Sequence, residues 1–399
     1  MFGAAMLLTP NGWAQDGLIL GNGQRIQVAP PQVNQQRQTA TVTGKVMCSD
    51  TQRAARFANV MLIATQEVEQ TDQRGGFGGG NFGRRVAART DLDGNFTVQA
   101  EPGDYYVTAT ATGYASPVAE IAARLNSSAT AADLLAALPQ VHVAEAGGAT
   151  VNLTLDRGAV IQGKMQWDDG SPAAGVNVSV QPTTQATAPV SDLTRAVSQL
   201  GGGFGGGLGG FTATDDRGVF RITGLPPGSY WVRATVTTPS ADPGGGTFQR
   251  MTSVTFYAPG KVRRSDAQVV TLKSGEERDD LQFMMDLTSL HTVSGHVGAT
   301  DTGSIETGVV RLTDTQDSSL SRMAIVNTDG SFALQWVPAG TYTLAVTNAS
   351  NVPRQLGGRR GQQNDPGTSY QPFSESLTVA DTDVSGVGVN LTPTATQSQ

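Results

Sequence analysis

The chain has a single cysteine, Cys48, so no disulfide can form within it. Its three histidines leave little material for a histidine-rich metal centre. Only 15% of the 399 residues are charged and 6% are aromatic. The net charge is −7, and the basic residues come only in scattered pairs such as Arg263-Arg264 and Arg359-Arg360. Nucleic acid and anionic membranes are attracted by clustered Lys and Arg, so neither is expected as a partner. No apolar run approaches the roughly 20 residues that span a bilayer, and no transmembrane segment is expected. Glycine, by contrast, is abundant at 49 residues. Little charge with much Gly, Thr, Val and Ala suits short strands joined by many turns.

The N-terminus reads MFGAAMLLTPNGWAQ. A short apolar run precedes small residues at Gly12 and Ala14, the pattern of a signal-peptidase site with cleavage after Ala14. The basic leading segment is missing, so residues 1–39 read as a signal-peptide remnant followed by a disordered linker. Export is expected, to the periplasm, the outer-membrane surface or the exterior.

One pattern is written three times. TDLDGNFTVQAEPGDYYVTA spans 90–109, TDDRGVFRITGLPPGSYWVRA spans 214–234, and NTDGSFALQWVPAGTYTLAV spans 327–346. Each has a turn glycine (Gly94, Gly218, Gly330), a Phe two residues on (Phe96, Phe220, Phe332), a Pro-Gly-type turn and a Tyr (Tyr105, Tyr230, Tyr342). Upstream of each lies an alternating strand containing Gly-x-Val or Gly-x-Met, at 41–46, 160–165 and 292–297. A second alternating strand follows at 59–64, 175–180 and 308–313, and a strand pair closes each unit at 141–155, 270–285 and 377–391. Internal repetition of this kind decides architecture before any single motif does. The units are 40–156, 158–288 and 290–393, with a disordered tail over 394–399. The glycine-dense stretches at 75–83 and 200–211 read as linker-like loops. Neither is a phosphate loop, because no Gly-Lys-Ser/Thr follows. Ala/Leu spacing over 119–139 predicts one or two short helices, and 189–200 offers another.

These residues resemble the carboxypeptidase regulatory-like domain. The order is strand-Gly-x-Val, then GSPAAGVNVSV, then TDDRGVFRITGLPPGSYWVRA. The likeness runs over most of 40–393, strongest in the second unit and weakest in the first, where CSDTQRAARFAN lacks the usual Asp-Gly-x-Pro. The resemblance implies an all-β chain of three tandem seven-stranded Greek-key sandwiches, transthyretin-like and grouped with carbohydrate-binding-like folds. It also implies an accessory role without a reaction, since fold and function separate readily.

The chemistry-bearing residues agree with that expectation. His142-Val-Ala-Glu145 matches a zinc-peptidase spacing but falls on the closing strand pair, and no room remains for a peptidase domain. His291 and His296 lie five apart on a strand and face opposite sides. Cys48 has no local histidine and reads as a small buried residue rather than a nucleophile. Lys45, Asn152 and Glu101 are the candidate set for a Lys–Asn cross-link, but alternation points Lys45 outward. Asp91 and Asp93, with Asp215 and Asp216, could offer oxygens to calcium. They also suit hairpin turns, where Asp bonds its own backbone and Gly supplies positive φ. No cofactor, catalytic residue or firm metal site is expected.

Flat aromatic faces on a rigid sheet can stack on pyranose rings. Alternation puts Trp231 outward, with Tyr106 in its place in the first unit. Trp336 stands just before the Pro turn of the third and is also expected outside. Trp167 reads as core or hairpin packing. The plainer alternative for Trp231 and Tyr106 is packing against a neighbouring unit or inserted loop. The leading expectation is an exported, non-catalytic binding or scaffold protein whose partner is a polysaccharide or a cell-surface protein. The alternatives are a structural stalk, or an accessory to a separately encoded peptidase or TonB-dependent outer-membrane receptor. Exposure of the three aromatics favours sugar binding, and their burial favours the stalk.

Overall fold

The computed structural model describes residues 39–65, 85–124, 131–145, 147–183, 210–239, 251–301, 303–352 and 367–394. All but the last residue of the leader and linker expected over 1–39, the glycine-dense stretch at 75–83, the helix at 189–200 and all but the first residue of the tail expected over 394–399 lie outside the described residues.

The fold is all-β; among the described residues six sheets surround three buried clusters built from residues 40–155, 159–285 and 293–391. In the first stretch, β1 (Ala40–Cys48), β4 (Asn95–Ala100), β7 (Ala149–Thr150) and β8 (Leu153–Leu155) form one sheet. β3 (Arg85–Arg89), β2 (Asn59–Ala64), β5 (Gly103–Thr110) and β6 (Gln140–Val143) form the other. The second stretch pairs β12 (Val219–Leu225), β9 (Ala159–Trp167) and β16 (Glu277–Met285). Facing them are β11 (Phe211–Ala213), β10 (Asn177–Pro182), β13 (Gly228–Pro239), β14 (Met251–Tyr257) and β15 (Val269–Leu272). The third has β20 (Ser331–Pro338), β17 (Leu290–Ala299) and β23 (Val384–Leu391) in one sheet. Its other sheet is β19 (Ser321–Ile325), β18 (Thr307–Asp314), β21 (Gly340–Ser350) and β22 (Phe373–Val379).

Among the described residues the third stretch has seven strands and the first two have eight. The extra strands have simple origins. β7 and β8 are two short pieces laid in succession along β1. β13 has 12 residues, long enough to hold β15 along Gly228–Trp231 and β14 along Arg233–Pro239 on the same edge. Helices Pro117–Arg124 and Ala131–Ala137 occupy the 119–139 region where Ala/Leu spacing expects them.

The repeated glycines have a packing reason. Gly44, Gly163 and Gly295 stand directly opposite Phe96, Phe220 and Phe332 in the antiparallel register. At Gly163 an added Cβ would lie 2.5 Å from the Leu281 carbonyl oxygen and 2.7 Å from the Phe220 ring, so no side chain fits. The turn glycines Gly94, Gly218 and Gly330 all have φ between 75° and 82°, which the tight reversal requires. Each Tyr of the repeat also closes its own turn. Tyr105 donates to the Glu101 carbonyl at 2.9 Å, and Tyr230 and Tyr342 donate to those of Pro226 and Pro338 at 2.6 Å. Buried phenols need such a partner, and here it pins the strand that follows the Pro turn.

In all three stretches the closing strand runs parallel beside the first: β7 and β8 on β1, β16 on β9, β23 on β17. The chain thus enters each cluster at one end and leaves it at the other.

Candidate functional site

Trp231 lies on the outward face of β13, between inward Tyr230 and Val232, as alternation expects. It is half-buried, and the Arg264 guanidinium sits over its ring at 5.3 Å.

Tyr106 differs from expectation. It is only 7% exposed, because β5 is covered on both sides. Helix Pro117–Arg124 packs on this strand, with Val118 fully buried. Alternation identified the face away from the main cluster but could not show that this face is covered as well.

Trp336 also differs. It is half-buried and packs against the hydrophobic cluster of residues 159–285, not the one formed by its own stretch of chain. Its φ of 61° is unusual for a bulky residue. The cause is a register break in the pairing of β20 with β17 between His291 and Val293. Gly224 stands at the matching break of β12, with φ 77° and the Tyr114 carbonyl oxygen 2.9 Å from where its Cβ would be. The irregular position thus meets the preceding stretch of chain both times, through glycine once and through an indole once. The first stretch pairs β1 and β4 in unbroken register. The three aromatics therefore do not form one open platform.

The acidic turns use their oxygens internally. Asp91 Oδ1 accepts the backbone N–H groups of Asn95 at 2.8 Å and Asp93 at 2.9 Å. Asp215 Oδ1 accepts those of Val219 at 2.7 Å and Arg217 at 3.0 Å. In both turns the leading backbone hydrogen bond, to Asn95 or Val219, holds the carboxyl below its ordinary range. Asp93 and Asp216 are exposed. Among the described residues no group of three or more His, Cys, Asp or Glu side chains could hold a metal ion.

The remaining candidates stay apart. His142 contacts Asp104 at 2.7 Å across the β5–β6 pair, and both are exposed. His296 Nε2 reaches the Asp329 carbonyl oxygen at 2.8 Å, while His291 sits 4.0 Å from Asp383. Cys48 is buried. Lys45 is exposed, and the Asn152 side-chain oxygen accepts its backbone N–H at 3.0 Å, so Asn152 serves as a backbone partner.

A constellation invisible to motif reading lies where residues 258–268 meet 314–320. Asp314 has no exposed side-chain surface. Its Oδ2 accepts from Arg263 Nε at 2.9 Å and Nη2 at 2.7 Å, and its Oδ1 accepts the backbone N–H groups of Gln316 and Asp317, both at 2.8 Å. Arg263 Nη2 also donates to the Ala339 carbonyl at 2.8 Å, and Asp317 Oδ2 accepts the backbone N–H of Arg264 at 2.6 Å. Burial opposes ionisation of Asp314, but the Arg263 guanidinium and the two backbone donors hold its carboxyl below the usual range. Val262 packs against both adjoining clusters. The earlier junction is equally tied. Gly158 donates its N–H to the Gly113 carbonyl at 3.1 Å, and the Arg157 guanidinium lies over the Tyr114 ring at 5.3 Å.

No family model matches the chain. No curated protein matches it either. Among solved structures it is similar to the Bacillus anthracis TIE protein at 10% identity and a TM-score of 0.20, over 90% of this chain and 51% of that one. It thus spans about half the length of the TIE protein. It is also similar to a streptococcal ancillary pilin, with 12% identity, a TM-score of 0.24, and 89% and 99% coverage. GBS52, the minor pilin of Streptococcus agalactiae, gives 10% identity, a TM-score of 0.28, and 60% and 98% coverage. Superpositions at this level carry no functional information, so the molecule's own geometry has to supply it.

Proposed function

We propose that the chain is a non-catalytic, exported scaffold in which three transthyretin-like sandwiches of the carboxypeptidase regulatory-like kind, 40–156, 158–288 and 290–393, form an end-to-end spacer at a cell surface. The observation that carries this reading is the parallel pairing of first and last strands in each unit. A strand that leaves parallel to the one that entered delivers the chain to the opposite end, so successive units stack along an axis. The short junctions at 156–158 and 286–289 leave little slack, and the Arg263–Asp314 and Arg157–Tyr114 contacts brace them.

A sugar-stacking platform made from Trp231, Tyr106 and Trp336 is less well supported. Tyr106 is buried, and Trp336 packs on the cluster of residues 159–285.

Small-angle scattering of the full chain tests the spacer. Three units with strands of nine or ten residues, each about 30 Å long, give a longest dimension of roughly 90 Å or more. A radius of gyration near the value of about 21 Å for a compact chain of this length overturns the reading.

A further inference from the structure

The first sandwich carries a cleft that the spacer reading does not use. It holds about 720 Å³ and lies between the segment 49–58 and the acidic turn at 91–94. That volume is in the range of small-ligand sites. Lys45, Arg53, Arg56 and Arg89 line it, against a single lining carboxylate, Asp93. All four cations are exposed. Among the described residues the Lys45 and Arg53 side chains have no hydrogen-bond or ion-pair partner.

Two of the cations are aimed. Arg56 donates Nε to the Leu92 carbonyl at 3.1 Å, and Arg89 donates Nε to the Phe57 carbonyl at 3.2 Å. Each anchor uses only Nε, which leaves the terminal guanidinium nitrogens to face a ligand. A guanidinium presented this way matches a carboxylate in a two-point contact.

Phe57 supplies the second component. It lines the same cleft, is 54% exposed, and has φ 57°. A bulky residue rarely adopts that conformation, and strain of this kind gathers at ligand-binding positions. The Arg89 guanidinium lies over one side of the ring at 5.6 Å and fixes it. The rest of the ring is an apolar surface set among cations.

We propose that this cleft binds a carboxylate-bearing polysaccharide, a chain of uronate-type sugars. Its carboxylates meet Arg53, Arg56, Arg89 and Lys45, and a pyranose face rests on Phe57. An acidic peptide fits less well. Peptides docking on sandwiches add to a strand edge through backbone hydrogen bonds, whereas segment 49–58 is mostly turn and several of its backbone groups are already taken. The Phe57 and Leu92 carbonyls are held by arginines, the Ala58 N–H by Thr90 Oγ1 at 2.8 Å, and the Cys48 and Ala55 N–H groups by the carbonyls of Arg53 and Val46. The chain's net charge of −7 does not attract anions from a distance, so affinity comes from these contacts at short range.

Calorimetric titration of the full chain with polygalacturonate oligomers tests this, with their methyl esters and poly-glutamate as comparators. The expected result is binding of the free-acid oligomers, no binding of the esters, and no more than weak binding of poly-glutamate. Arg53→Gln with Lys45→Gln changes two exposed side chains, so folding is retained; binding weakens on the order of tenfold, the effect of losing charge-assisted contacts. Phe57→Gly keeps the positive φ and weakens binding while leaving its salt dependence unchanged. Absence of binding at low salt, equal binding of the esters or of poly-glutamate, or unchanged affinity in the Arg53/Lys45 variant overturns the proposal. The scattering experiment bears only on the spacer, so the two readings fail separately.

Discussion

Arg263 and Asp314, 51 positions apart, form a two-nitrogen contact on one carboxylate oxygen across the join between the second and third hydrophobic clusters. Arg263→Met leaves a buried carboxylate without its counter-charge, which costs about 3–5 kcal/mol. Urea unfolding of the variant is expected to show the third sandwich melting separately and earlier. The sign of the pH dependence follows from the lowered Asp314 carboxyl. A depressed folded-state value contributes stability that is present above the ordinary carboxylate range and lost as pH falls through the folded value. Acid is therefore expected to loosen this join, and a wild-type join indifferent to acid contradicts the assignment.

The tyrosine corners are testable in parallel. Tyr230→Phe and Tyr342→Phe each strand a carbonyl four residues upstream, at a cost of roughly 1–3 kcal/mol read from chemical denaturation. Burial pushes the Tyr342 phenol up to about 12. Because the folded value is raised, the stabilisation is complete below the ordinary phenol range, near 10, and fades as pH climbs towards 12. Alkaline melts that do not differ between wild type and Tyr342→Phe are the expected sign that the corner has ionised.

Gly163→Ala places a methyl carbon against the Leu281 carbonyl and the Phe220 ring. Overpacking of this kind costs roughly 1–3 kcal/mol. Gly388→Ala is the control: it sits on β23 with nothing within 4 Å of a built Cβ, so its effect stays within about 0.5 kcal/mol. Equal effects in the two melts would remove the Gly–Phe pair as the reason for the repeat.

Calcium removal distinguishes the two readings of the acidic turns. Asp91 and Asp215 spend Oδ1 on two backbone N–H groups each. Chelator is expected to leave the melting temperature unchanged, and Asp215→Asn, which keeps an accepting oxygen, to cost less than Asp215→Ala. A chelator-dependent fall of several degrees restores the calcium reading.

Strand order was readable because alternation and turn chemistry act locally. Val42, Val46 and Tyr105 announce their inward faces from their neighbours alone. Tyr106 and Trp336 were not readable, since alternation reports only the face turned to a residue's own cluster: Tyr106 is buried on its other face as well, and Trp336 packs on the cluster of the preceding stretch. The register break that turns Trp336 leaves only a faint mark, the one extra residue between turn glycine and tyrosine in the second and third repeats. The Arg263–Asp314 contact left no mark, because neither residue belongs to the repeated pattern. β14 left no mark for the same reason: among the described residues only the second stretch has it.

The parallel pairing of first and last strands has a mechanical consequence. Tension applied along the chain pulls β9 from one end and β16 from the other, so the hydrogen bonds between Val160–Trp167 and Glu277–Met285 lie across the line of force and are loaded together. A strand pulled in that direction must slide past its whole partner at once, whereas a hairpin opens one bond at a time. Each such pairing therefore resists stretching as a clasp, and if the chain is the spacer proposed above, it yields in discrete steps.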